Sequence, residues 1–309
     1  PTVDGWKEAT FKEFGEQELY EITFSNGHSV RTTAGHEWVV VDRSKNYLGL
    51  IEREFKVQTT AAVGHEVPIL PIQQRPEKNK DYYDGLIHGM IYGDGSKNVG
   101  KSGNYFNIYL FGVKQQLKDL FSDYCDSIRE TTNYDCLNTF VYNVNVNNKN
   151  LKEVPSLEEN LSYLYGFVSG FIATDGNVCS SIGCVTVFQS NIEDLKLINT
   201  IINKIGMSTS SISMYRKDSP FTNEEKPSYV IRLRKESMTQ CDFIREDQKL
   251  NFLKKIGNRT KTLFIDSVKP LGIIEKVYCA VEEETHTFTI EGNILTGNCF
   301  VQPVGDCIE

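Results

Sequence analysis

Two stretches of the chain place apolar residues at helical spacing around glycines set four apart. YYDGLIHGMIYGDG covers residues 82–95, and YLYGFVSGFIATDG covers residues 163–176. Tyr82, Gly85, Gly89, Asp94 and Gly95 match Tyr163, Gly166, Gly170, Asp175 and Gly176, every pair offset by 81 positions. Residues four apart share a helical face, so each glycine pair predicts a strip without side chains. Two such strips allow two helix backbones to approach closely. Each stretch ends in Asp-Gly, where Gly is expected in the left-handed conformation that closes a helix. Parallel packing of the two helices then sets Asp94 and Asp175 side by side at one end.

The rest of the pattern divides around this repeat. After the first copy come the strand-like YFNIYLF and the helical VKQQLKDLFSDY. After the second come CVTVFQS and IEDLKLINTIINKIGM, where Leu195, Ile198, Ile201, Ile202 and Ile205 recur at helical spacing. Each half therefore reads as helix, strands, helix. Outside the repeat the chain is strand-rich: LYEITFSNG and HSVRTTAGHEWVVV predict a hairpin turning at Asn26-Gly27. IEKVYCAVEEETHTFTI and GNILTGNC predict further strands near the end. Two β-rich flanks around an insert predict one discontinuous β domain.

Composition excludes some classes. The chain has 309 residues, room for two domains. No apolar run is long enough for a transmembrane helix, and no basic, apolar, small-residue leader opens it. The eight cysteines form no C-x-x-C pair, which argues against a structural zinc site, and they do not suggest a disulfide scaffold. A reducing cytoplasm is the expected location. The net charge of −8 argues against a wholly basic nucleic-acid binder. Residues 231–262 nevertheless carry nine Lys/Arg against four Asp/Glu. Arg232, Arg234, Lys235, Lys254 and Lys255, with Arg216 and Lys217, are candidate phosphate contacts. Paired carboxylates at an open helix end suit a hard cation such as Mg²⁺, so Asp94 and Asp175 are the candidate metal ligands.

IHGMIYGDG and VSGFIATDG resemble the paired motifs of LAGLIDADG homing endonucleases. That resemblance implies a pseudo-twofold αββαββα domain over residues 80–263, with strands forming a saddle on double-stranded DNA. LKEVPS resembles the family segment with a catalytic lysine and puts Lys152 forward beside the two aspartates.

The flanks, 1–75 and 264–298, resemble the Hint splicing domain of inteins, implying an α+β chain in which an all-β Hint domain is interrupted by the endonuclease. TTAGHEW matches the segment holding Thr33 and His36, VYCAVEEETHTFTI the segment ending in His286, and LTGNC the downstream junction. The resemblance implies that Asn298 cyclises onto its own carbonyl carbon and releases Cys299, with His286 assisting as proton donor. A peptide bond is kinetically inert, and a thiol nucleophile converts it to a thioester. His36 and Thr33 are expected to polarise the upstream scissile amide.

Two departures matter. Gly297 stands before Asn298 where most inteins have His, and Cys279 stands where most have Asp. Both fit class 3 inteins, which lack a first-residue nucleophile and use an internal Cys with a characteristic Trp and Thr. Here these are Cys279, Trp38 and Thr296. The alternative is a standard intein in which Cys279 merely replaces Asp. PTVDGW looks like the later part of an opening segment, so the upstream junction is expected to be absent from this chain. The last stretch, CFVQPVGDCIE at 299–309, resembles a segment of B12-dependent ribonucleotide reductases and reads as downstream host sequence. Flanking host segments and target DNA are the expected partners, and a monomer the expected state. A splicing element with an inactive endonuclease, and an unrelated acidic α+β metal-dependent hydrolase, remain the rival readings.

Overall fold

The structure, a computed structural model, describes residues 6–298 together with Thr2 and Asp4, apart from 47–48, 71–74, 101–102, 134–135, 219–224 and 255–261. The chain divides into two compact units, Pro1–Gln73 with Thr260–Glu309, and Gln74–Arg259.

The inserted unit is built on two helices, α1 (Lys80–Asp94) and α2 (Leu161–Asp175). Each starts at an asparagine whose side chain accepts a backbone N–H: Asn79 from Tyr82 at 3.2 Å, Asn160 from Tyr163 at 2.8 Å. These two caps are also 81 positions apart, so the repeat extends to the helix starts. A Cβ at Gly85 would overlap the carbonyl oxygen of Tyr163, and one at Gly89 that of Phe167. Cβ atoms at Gly166 and Gly170 would overlap the carbonyls of Tyr82 and Leu86. The contacts advance together along both chains, so the helices run parallel with their backbones in direct contact.

The ends of these helices differ from the sequence expectation. Gly95 (φ −76°, ψ 165°) and Gly176 (φ −75°, ψ 137°) are extended, not left-handed. Each leads straight into a strand, Gly95–Gly100 or Asn177–Val178. Glycine is needed there for space: a Cβ would lie 2.5 Å from the carbonyl oxygen of Ile91 or of Ile172.

Each helix feeds a four-stranded antiparallel sheet. The first has the order Gly95–Gly100, Gly103–Phe111, Cys136–Val144, Ser127–Asn133, and the second the order Asn177–Val178, Val185–Gln189, Glu225–Leu233, Ser213–Asp218. Both follow the same path, as the internal repeat requires. The halves diverge in the helix after the second strand. Ile192–Lys204 (α3) is an α-helix with Leu195, Ile198, Ile201 and Ile202 buried, and Ile205 is buried just beyond it. Its counterpart, Gly112–Phe121, is a 3₁₀ helix rather than the expected α-helix. Leu117 and Phe121 are buried in it, and Leu120 packs partly buried against the same core. A short helix, α4 (Glu246–Phe252), follows the second sheet.

The outer unit joins both flanks. Its six-stranded sheet has the order Ser29–Thr33, Thr10–Phe24, Thr262–Val281, Glu66–Pro68, Glu37–Asn46, Gly49–Gln58. Thr10–Phe24 pairs along most of its length with Thr262–Val281, from Thr10 opposite Val281 to Phe24 opposite Ile265. The hairpin turns where Asn26-Gly27 predicts, with Gly27 at φ 78° and the Asn26 side chain accepting His28 N at 3.1 Å. Ile22, Phe24, Trp38, Val40, Leu263 and Ile294 belong to one buried cluster. A final hairpin, Thr287–Ile290 with Ile294–Gly297, carries the chain to Asn298.

Candidate functional site

In the inserted unit the parallel helices deliver Asp94 and Asp175 to one end. The Asp175 carboxyl is raised to about 6, first by burial and next by the like charge of Asp94. A Cβ on Gly93 would lie 3.3 Å from Asp175 Cγ, which shows how closely α1 presses on this side chain. Lys152 Nζ donates to the last carbonyls of α1: Tyr92 at 2.5 Å, Gly95 at 2.9 Å and Ile91 at 3.1 Å. A cation there complements the negative helix end. Burial lowers the Lys152 ammonium below its ordinary range, while Asp175 and Asp94 act in the opposite direction. Lys152 therefore does sit within the electrostatic reach of both carboxylates. Lys114 was not marked by the sequence, yet it forms an ion pair with Asp94. It comes from the 3₁₀ helix, and no periodicity links it to Asp94.

Among the described residues no cluster of three or more His, Cys, Asp and Glu forms. The two carboxylates nevertheless fit a hard divalent cation: a carboxyl held up by its neighbour's charge is relieved when a cation is shared between them.

The basic candidates separate into two groups. Arg216 and Arg232 are exposed. Their Cα partners Ser228 and Thr186 place them on the same face of the second sheet, with Ile231 and Leu233 buried beneath. Arg234, Lys235 and Lys254 also reach backbone carbonyls. Arg234 Nε donates to Thr209 O at 3.1 Å, Lys235 Nζ to Lys254 O, and Lys254 Nζ to Ser180 O. Lys217 lies in strand Ser213–Asp218. Lys255 lies outside the described residues.

In the outer unit, a cleft of about 840 Å³ is lined by Thr33, His36, Trp38 and Cys279. Strand pairing brings them there from distant sequence. Thr33 ends the strand Ser29–Thr33, and its carbonyl accepts His36 N at 3.3 Å. Trp38 is buried, with its ring centroid 5.2 Å from that of His36 in an edge-on arrangement and its Nε1 donating to Thr59 Oγ1 at 3.1 Å. Thr59 was not marked by the sequence, and its hydroxyl also donates to His36 O at 3.4 Å. Cys279 is buried near the end of Thr262–Val281, opposite Lys12.

His36 Nε2 lies 2.5 Å from Thr296 Oγ1. The Thr296 hydroxyl also lies within donating reach of Glu37 O at 3.1 Å, so it bridges the imidazole and that carbonyl. Burial lowers His36 to about 4, so the ring is neutral at pH 7. Asn298 is buried. Its backbone N–H donates to His286 O at 2.9 Å, and its Nδ2 to Glu282 O at 2.5 Å. Its Oδ1 is buried with no partner among the described residues. His286 itself is exposed and left-handed at φ 53°, and touches Asn298 through its carbonyl. Cys299 lies outside the described residues.

No family model matches the sequence, and no curated protein matches it. Solved structures do. A variant of I-DmoI, in complex with its target DNA nicked in the coding strand and in the presence of Mn, is 14% identical over 50% of this chain and 89% of its own, with a TM-score of 0.35. I-DmoI with DNA and Ca is 12% identical over 50% and 83%, with a TM-score of 0.31. The N-terminal LAGLIDADG domain of DUF199/WhiA is 12% identical over 60% and 86%, with a TM-score of 0.35. Likenesses this distant bear on neither activity nor partner. No helix among the described residues is long and apolar enough to cross a membrane.

Proposed function

We propose that the chain carries the splicing machinery of a class 3 intein and a metal-dependent DNA endonuclease. The observation that carries this reading is the gathering of Thr33, His36, Trp38 and Cys279 on one cleft, with Thr296 bonded to His36 and Asn298 two residues on. In this reading the Cys279 thiolate attacks the upstream scissile carbonyl. An S–C bond forms, the C–N bond breaks, and the released amine takes a proton. The neutral His36, bonded through Nε2 to Thr296, acts as the proton acceptor. The Cys299 thiolate then displaces Cys279 from the thioester. Asn298 Nδ2 attacks its own main-chain carbonyl carbon, and the Cys299 amine leaves with the proton. That amine finally displaces its own thiol from the thioester to give an amide.

The inserted unit supplies the second activity. Asp94 and Asp175 would hold the divalent cation, expected to be Mg²⁺, which polarises a phosphodiester and activates water when bound. Lys152 places positive charge beside both carboxylates, and Arg216 and Arg232 offer phosphate contacts on the second sheet. Double-stranded DNA is the proposed substrate, the flanking host segments are the proposed splicing partners, and the chain is read as a cytoplasmic monomer.

Two assays test this. Intact mass of the purified chain should report loss of residues 299–309, with the remaining fragment one water lighter than a hydrolysed product. Asn298→Ala should stop that loss, and continued loss from this variant refutes the cyclisation. A plasmid carrying the uninterrupted host sequence should be cut only with a divalent cation, and cutting that persists in excess chelator refutes the metal assignment.

A further inference from the structure

We propose that Glu282 is a positioning residue for Asn298 cyclisation: its carboxylate folds the 282–286 turn into a clamp for both nitrogens of Asn298. The inference rests on the splicing reading and adds to it a residue that touches neither scissile bond. Glu282 is 2% exposed. Its Oε1 accepts Glu284 N at 2.8 Å, and its Oε2 accepts Thr285 N at 2.7 Å and Thr285 Oγ1 at 2.5 Å. These donors stabilise the ionised form, the Thr285 hydroxyl most, and hold the carboxylate down at about 2.

Consequences for the turn follow directly. A carboxylate bound to three donors within its own next three residues fixes the backbone between them. It turns the Glu282 carbonyl onto Asn298 Nδ2 at 2.5 Å and lets the left-handed His286 present its carbonyl to Asn298 N at 2.9 Å. The main chain and the side-chain amide of Asn298 are thus held from one turn. The buried Oδ1, without a partner among the described residues, indicates that the amide is oriented through Nδ2. Cyclisation needs that nitrogen placed against the carbonyl carbon of the same residue. The C–N bond of the succinimide forms, the bond to Cys299 N breaks, and the proton leaves Nδ2 for the departing amine. Misplacing a reacting atom by about 1 Å costs on the order of a hundredfold in rate.

The test uses the full chain. Release of residues 299–309 is timed by intact mass for the unsubstituted chain, Glu282→Ala and Thr285→Val. In parallel, the ¹⁵N–¹H signals of the Asn298 side-chain amide are followed by NMR. The expected result is release slowed about tenfold to a hundredfold in Glu282→Ala, and less in Thr285→Val, which loses the hydroxyl donor but keeps the backbone one. The amide signals should shift toward those of an unbonded carboxamide while the rest of the spectrum holds. Unchanged release and unchanged amide signals in both variants overturn the clamp. Should Glu282→Ala fail to fold, Thr285→Val decides alone. Failure of the unsubstituted chain to release the segment counts against the splicing reading, and the amide signals then decide the clamp on their own.

Discussion

Replacing Gly89 by alanine puts a methyl carbon into the seam between α1 and α2. That carbon would lie 2.8 Å from Phe171 N and overlap Phe167 O. Ordinary contact begins near 3.4 Å, so the amide nitrogen alone must retreat by about 0.6 Å. The atoms in the way are backbone, which cannot rotate aside as a side chain does. Gly85, Gly166 and Gly170 hold the same seam closed on either side, so the helices must part over several turns. Overpacking of this kind costs ~1–3 kcal/mol, and a rigid backbone obstacle belongs at the upper end. Alanine in a helix returns ~1 kcal/mol over glycine. The net expectation is a loss of ~1–2 kcal/mol for the inserted unit, read as a lower urea midpoint at unchanged slope. The substitution also has a chemical signature. Parting the helices separates Asp94 from Asp175, so the Asp175 carboxyl should titrate below about 6. A Gly89→Ala chain with equal or greater stability and unchanged Asp175 titration would refute the close-seam reasoning.

Other outcomes follow from the same geometry. Asp94→Asn removes the like charge beside Asp175, so NMR titration should find the Asp175 carboxyl lower, though burial still holds it above an exposed aspartate; both Asp94→Asn and Asp175→Asn should abolish DNA cleavage while release at Asn298 continues. His36 has a folded value of about 4 against an ordinary 6.5. The unfolded chain therefore binds this proton first. The stability contributed by neutral His36 is fully present above pH 6.5 and is lost as pH falls toward 4, about 3 kcal/mol in all. His36→Gln should make the fall of the denaturation midpoint over that window shallower by one group's share, the buried His28 of the same unit, also lowered to about 4, keeping its own. Gly297→His restores the residue usual before the terminal Asn, but a Cβ there would lie 3.0 Å from Glu37 O and 3.3 Å from Glu37 Cβ. Release measured by mass should therefore be no faster than in the unsubstituted chain.

The helix seam was legible because it is local and repeated. Glycines four apart, matched at a fixed offset, determine a pair of faces that admit backbone contact, and the shared Asp-Gly endings put two carboxylates at one end. The hairpin at Asn26-Gly27 was legible for the same reason, since the Gly that its three-residue turn places at positive φ is a local demand. Tertiary structure decided what depends on partners far along the chain. Gly95 and Gly176 are extended because strands begin there at once, and the need for glycine comes from the carbonyls of Ile91 and Ile172. VKQQLKDLFSDY has the composition of an α-helix, yet Gly112–Phe121 is a 3₁₀ helix. Lys114 reaches Asp94, and Lys235 and Lys254 reach backbone carbonyls, through contacts that no spacing encodes. The side-chain partner of His36 is Thr296, 260 residues away, whose hydroxyl also reaches Glu37 O. Sequence by itself determined which chemistry-bearing residues the chain has. Only the folded sheet, by pairing strands from both ends, determined which of them meet.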